Sequence, residues 1–244
     1  MTDLDRLDLV LRSIVAEGGT DSPRRIGAAC VELLPVSGAA ITLMTSVDAQ
    51  EPVYASDVVV SQLDGLQFSL GEGPCVEAFL ERRPVLIADL VEVVDGRWPL
   101  FAHAARDTPA RGLFVFPLQL GAVTVGVLGL YRLEPGALAG NDLTGALRAA
   151  DAAMWSLLGL REGETLETVN GTGPADVHAW LSGVPLHRTE VYQATGMIIG
   201  QLGVTAPVAL AKLRGFAFAH DRPLDEVARD VVARRLQFDN EELR

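Results

Sequence analysis

Apolar residues recur at helical spacing near the N-terminus and again towards the C-terminus, with strand-length runs between. Leu4, Leu7, Leu11, Ile14 and Val15 share one face in "MTDLDRLDLVLRSIV", where acidic residues alternate with apolar ones, and predict an amphipathic helix rather than a signal peptide. Ile26, Ala29, Cys30, Leu33 and Leu34 repeat the pattern after Pro23. "GAAITLMT" (38–45) reads as a strand, a helix opens at Pro74, and "PVLIADL" after Pro84 reads as a short strand. "LFVFPLQL" and "VTVGVLGLYR" are the clearest strands, and Gly121-Ala122 between them predicts a hairpin in the sheet centre. "NDLTGALRAADAAMWSLLGL" predicts a closing helix, with Asn141 or Asp142 placed to cap it.

The periodicity lapses at "REGETLETVNGTGPADV" (161–177), a polar, Gly-bearing stretch that reads as a linker with a short helix resuming near Ala175. Three apolar series follow. The first runs through Val191, Ala194, Ile198 and Leu202 and stops at Gly203, a natural left-handed cap. The second, after Thr205, runs through Leu210, Leu213, Phe216 and Ala217 and closes near His220. The third has Pro223 at its first position, Asp225 and Glu226 in its first turn, and Leu224, Val227, Ala228 and Val231 as its stripe. Arg234 and Arg235 complement the negative end of its dipole. Three short helices bury only a modest core, so this unit is expected to lean on its neighbours or on a second chain.

Composition adds bounds. Of 244 residues, 49% are hydrophobic, enough for one large domain or two smaller ones and against global disorder. No run approaches the roughly 18 apolar residues of a membrane span. Cys30 and Cys75 make neither a disulfide framework nor a zinc site, and a cytoplasmic location is the expectation. The net charge of −12 argues against nucleic acid until its distribution is read. Residues 186–236 carry seven Lys and Arg against five acids, so the acidity lies outside the C-terminal helices. That balance permits phosphate contacts without demanding them.

The order helix, helix, strand, mobile middle, β-hairpin and closing helix resembles the GAF sensor fold over roughly residues 5 to 160. "LGEGPCVEAFLERRPVLIADL" (70–90) carries a Gly-rich turn, a helix and a short strand ending in Asp. "VYQATGMIIGQLGVTAPVALAKLRGFAFAHDRPLDEVARDVV" is similar to an ANTAR domain along its whole length. Ala194, Gly196, Met197, Ala209, Leu213, Arg214, Phe216, Ala217, Leu224, Val227 and Ala228 carry the match. The resemblance implies an α+β GAF-like domain at 1–160, a linker at 161–185, a three-helix ANTAR bundle at 186–236 and a tail at 237–244. It further implies a signal-responsive regulator that binds RNA hairpin loops and promotes transcription antitermination, with a small-molecule effector and a homodimeric state.

Candidate RNA contacts are Arg188, Tyr192, Ala194, Thr195, Gly196, Lys212 and Arg214. Ala194 and Gly196 allow a close backbone approach, by a neighbouring helix or a nucleotide loop. Many family members have Lys where this chain has Thr195, which exchanges an ammonium for a hydroxyl. Tyr192 supplies an aromatic face for an unpaired base. In the sensor half, Cys75 sits in the first turn of a helix, as a responsive thiol, a pocket residue or simply packing. Arg97, Trp98, Phe101 and His103 form an aromatic and cationic cluster that suits a pocket wall. The pocket is expected between the sheet and a mobile middle running from about Tyr54 to Phe68 and from Asp95 to Thr108.

The four histidines are scattered without metal-ligand spacing, and nucleophile-elbow and P-loop signatures are missing. No cofactor, no metal and no enzymatic activity are therefore expected. Two alternatives stand beside the regulator: an interaction or dimerisation module without RNA binding, and a GAF-type thiol reductase. The reductase needs Cys30 to leave a buried stripe and resolve Cys75.

Overall fold

The computed structural model describes residues 1–93, 96–159 and 187–239, which fall into two compact units, 1–185 and 186–244. The expected linker at 161–185 lies outside the described residues.

In the first unit, helix α1 (Asp3–Glu17) opens with a capping box, Thr2 and Asp5 each accepting the other's backbone N–H. Helix α2 (Ser22–Leu33) follows, then strands β1 (Gly38–Ser46) and β2 (Ala49–Ala55). Helices α3 (Val58–Leu70) and α4 (Pro74–Glu81) lead to strand β3 (Val85–Ile87) and helix α5 (Pro99–Ala105). Strands β4 (Gly112–Leu120) and β5 (Val123–Arg132) and helix α6 (Gly140–Leu157) complete it. The sheet is antiparallel in the order β2-β1-β5-β4-β3, so the β4–β5 hairpin occupies its interior as the pattern predicts.

Alternate strand residues bury two separate cores. Ile41, Leu43, Phe114, Phe116, Leu128 and Leu130 pack under α1, α2 and α6. Ala40, Met44, Val85, Leu113, Val115 and Val127 pack under α3, α4 and α5 on the other face. Each fully buried Phe of these layers is worth about 3–5 kcal/mol against truncation to Ala.

The structure adds elements to the sequence reading and moves one cap. The expected middle segments hold α3 and α5, whose inner faces bury Val60, Leu63 and Phe68, and Phe101 and Ala105. Asp57 starts α3 by accepting the N–H groups of Val59 and Val60 at 2.8 and 3.0 Å, and Gly71 ends it in the left-handed region. Strand β2 escaped the pattern because Glu51 and Pro52 interrupt it; it is an edge strand, where a missing N–H is tolerated. Neither Asn141 nor Asp142 caps α6, which starts from Ala139 without a side-chain cap; Asp142 instead lies in the first turn, where the helix dipole favours it.

The second unit contains helices α7 (Thr189–Leu202), α8 (Ala206–Ala219) and α9 (Leu224–Val232). Gly203 caps α7 in the left-handed conformation, and the chain turns through 107° into α8. Val191, Ala194, Ile198, Leu213, Val227, Ala228 and Val231 are wholly buried, which is the core the three series predict. Pro223 precedes α9 as its N-cap rather than forming its first residue. Phe238, expected in the tail, is buried, stands edge-on to Phe216 and donates its N–H to Gln201 Oε1 at 3.0 Å.

Candidate effector pocket and nucleic-acid interface

Gly73 shapes the turn at the sensor site. Its φ of +135° suits glycine, and a Cβ there lands 2.6 Å from Gln67 Cγ. With that space open, Gln67 folds under the turn, accepts the Cys75 N–H at 2.6 Å and donates to Leu63 O at 3.2 Å. Beside it, Thr42 Oγ1 on β1 donates to Asp64 Oδ1 on α3 at 2.7 Å. Thr42, Asp64, Gln67 and Cys75 thus make a polar edge to a cavity of about 10 Å³ between the sheet and α3, floored by Val127 and Gly129. That volume admits about one water, so this conformation is closed around its own side chains.

The five expected pocket residues do not converge on one cavity. Cys75 lines the cavity just described, whereas Phe101 is fully buried in the core with Trp98 edge-on at 6.5 Å. Arg97 lies 4.6 Å above the Trp98 ring and pairs with Glu77 at 3.0 Å. His103 faces a second, outer cavity of about 310 Å³, with Trp98, Ala102 and Arg106. Sequence reasoning missed Thr42, Asp64 and Gln67, because a polar residue inside an apolar run carries no signal of the partner that satisfies it. It also missed Glu72, whose carboxylate accepts the Leu100 and Phe101 N–H groups at 2.7 and 2.9 Å and ties the α3–α4 turn to α5.

The two cysteines lie in different cores. Cys30 packs beneath α1, α2 and α6, where burial pushes its thiol up to about 12, and Cys75 packs across the sheet under α4. A groove of about 280 Å³ runs between α1 and α6, lined by Asp8, Arg12, Arg148, Asp151 and Trp155. Asp8 pairs with Arg12 at 3.2 Å and Arg148 at 3.1 Å, and partial burial raises the Asp151 carboxyl.

In the C-terminal unit the candidate RNA contacts separate by burial. Ala194 is fully buried, Thr195 is 7% exposed and donates its hydroxyl to Val191 O at 2.8 Å, and Arg188 is buried. Tyr192, Lys212 and Arg214 are half-buried, with Nε and Nη2 of Arg214 buried. Gly196 is exposed, and a Cβ built on it meets nothing within 4 Å; the same holds for Gly200 one turn on. Gly196 therefore leaves room towards solvent, not towards a helix of its own unit, and Ala194 serves the packing. The hydroxyl of Thr195 is turned onto its own helix, so in this conformation it is not presented to a phosphate. Phe218, 62% exposed, is a surface aromatic that the periodicity already implied: Phe216 joins the buried stripe, and a residue two places on must face away.

Two family profiles match the sequence. One, described as a GAF domain, covers residues 24–154, and the other, described as an ANTAR domain, covers residues 185–232. A search of curated proteins returned no match. Among solved structures, the GAF domain from a phosphoenolpyruvate-protein phosphotransferase of Coxiella burnetii aligns with 63% of this chain and 94% of its own, at 15% identity and a TM-score of 0.50. A domain of a two-component sensor histidine kinase protein from Sinorhizobium meliloti aligns over 63% and 96%, at 17% identity and 0.48. Free methionine-R-sulfoxide reductase from Neisseria meningitidis aligns over 63% and 87%, at 16% identity and 0.47. At such identities the first of these likenesses bears on the fold alone.

Proposed function

The chain belongs to the GAF family and carries an ANTAR domain on its C-terminal side, and from that premise we propose that it is a signal-responsive, RNA-binding regulator of transcription antitermination. The GAF unit holds the effector, and the ANTAR unit grips an RNA hairpin so that polymerase reads past a downstream terminator. The observation that carries this reading is the coincidence of the ANTAR match with a helical unit whose charge balance departs from the acidic remainder. Gly196, Tyr192 and Lys212 are its contact residues; Arg214, whose Nε and Nη2 are buried, supports them from within together with Ala194, Thr195 and Arg188.

The homodimer uses the groove between α1 and α6. Its acids and bases are self-complementary, so a two-fold axis sets Asp151 of one copy against Arg12 or Arg148 of the next. Exposed Leu9 and Leu147 lie on the same two helices. A cytoplasmic location accords with the regulatory role, and among the described residues no single helix is long and apolar enough to cross a membrane.

The test is a gel-shift titration of the full chain with tandem hairpin RNAs at low salt. Binding is expected, with Lys212→Gln weakening it and reducing the salt slope by about one. No binding at any effector or salt condition removes the antitermination reading and leaves an interaction module. The reductase alternative requires two thiols in reach of each other, yet the β-sheet stands between Cys30 and Cys75. No turnover of free methionine sulfoxide is expected.

A further inference from the structure

The solvent side of α8 has an unusual composition. At about 3.6 residues per turn, Pro207, Val208, Ala211, Gly215, Phe218 and Ala219 fall on one continuous arc, and all six are exposed. None carries a polar side chain, whereas the outer face of an ordinary surface helix is charged or polar. Phe218 and Val208 are 62% and 44% exposed, and a Cβ on Gly215 meets nothing within 4 Å. Lys212 borders the arc on one side, Arg214 stands at its other edge with Nε and Nη2 buried, and α8 has no acidic residue along its length.

Apolar surface held open beside a cationic border suits a ligand that offers flat apolar faces on an anionic backbone. We propose that this face of α8 is a stacking platform for an unpaired loop base of the bound RNA, with Phe218 beneath the base and Lys212 beside the phosphate. The assignment rests on the RNA-binding reading above and names the surface that reading left open. Gly215 and Ala211 keep the strip low enough for a ribose to lie along it, as Gly196 does on α7. Aromatic stacking accepts any base, so this contact supplies affinity and holds the loop, while discrimination comes from elsewhere. Charge decides against an apolar protein partner: a helix whose own charged side chains are all cationic attracts a polyanion, whereas two copies of it repel.

The experiment uses the full-length chain and hairpin RNAs with randomised loops, retained on a filter at low salt, with 2-aminopurine in the loop of a selected hairpin. Phe218→Ala is expected to weaken binding about tenfold or more and to abolish the quenching of 2-aminopurine; Phe218→Trp keeps both. Gly215→Leu is expected to weaken binding comparably by raising the strip. Both positions are exposed and neither substitution lowers helix propensity, so no fall in circular-dichroism melting is expected, which separates contact loss from unfolding. Phe218→Ala binding as tightly as the unaltered chain overturns the platform and leaves the RNA reading standing. Loss of self-association by Phe218→Ala with RNA affinity intact also overturns it, in favour of a second chain on this face. No hairpin retained by the unaltered chain removes the RNA reading and the platform together.

Discussion

Gly126 sits in β5 facing β1, and a methyl group added to it would lie 2.2 Å from Thr42 O. The obstacle is backbone in a paired strand, which cannot swing aside as a side chain can. Gly126→Ala is therefore expected to destabilise the sensor unit by about 1–3 kcal/mol, read as a lower denaturant midpoint at unchanged slope. Gly196 is the opposite case, a helical glycine with open space around it. Gly196→Ala is expected to stabilise the C-terminal unit by about 0.8–1 kcal/mol through helix propensity while weakening RNA binding. The opposite signs separate a contact role from a packing one, and unchanged affinity would take Gly196 out of the interface. Both glycines are visible as letters in the chain, but only the neighbours supplied by the fold tell them apart.

At the scale of elements, the short helices of the C-terminal unit are held by ties that lie outside the apolar pattern. Asp230 on α9 accepts from Arg222 Nη2 at 2.6 Å and Arg235 Nε at 2.8 Å, fastening the α8–α9 turn to the end of α9. Arg235 thus serves a side chain, beyond the dipole role its position predicts. The hydrogen bond from Arg222, then that from Arg235, holds the Asp230 carboxyl below its ordinary value of 3.8. A depressed carboxylate stabilises the fold above its unfolded value, and that contribution fades as pH falls through the lower folded value. The native chain is thus expected to melt above Asp230→Asn at pH 7 and to converge with it below about pH 3.8, checked by melting the ANTAR unit across pH. Legibility at this scale followed periodicity. The helices with clean stripes and the β4–β5 hairpin could be read directly. Strand β2 and helix α3 could not: Pro52 breaks the alternation of one, and the valines opening the other favour strands by propensity.

For the whole molecule, the sheet decides which residues can cooperate. It places Cys30 and Cys75 in different cores, whereas Cys75, Trp98 and Phe101 share one core, and on that face the five expected pocket residues are spread between an inner cavity, the core and an outer cavity. The α1–α6 groove likewise exists only after folding, since its walls come from residues 8–15 and 148–155. Sedimentation is expected to show a dimer weakened by Asp151→Arg and restored when Arg148→Asp is added, because a two-fold interface recovers its pairing on exchange of both charges. A dimer indifferent to both changes places the interface elsewhere.

By itself the amino-acid order determined the two-part architecture, the sheet's interior hairpin, the three-helix unit and its core, and the family likeness that the matches to residues 24–154 and 185–232 bear out. Periodicity suffices for these because each depends on which side of its own element a residue faces. Tertiary structure alone decided that Thr42 meets Asp64, that Gln67 folds under Gly73, that Ala194 packs inward while Gly196 opens to solvent, and that the face of α8 remains uncovered. These depend on which element lies opposite, and spacing along a chain holds no information about the neighbour across a gap.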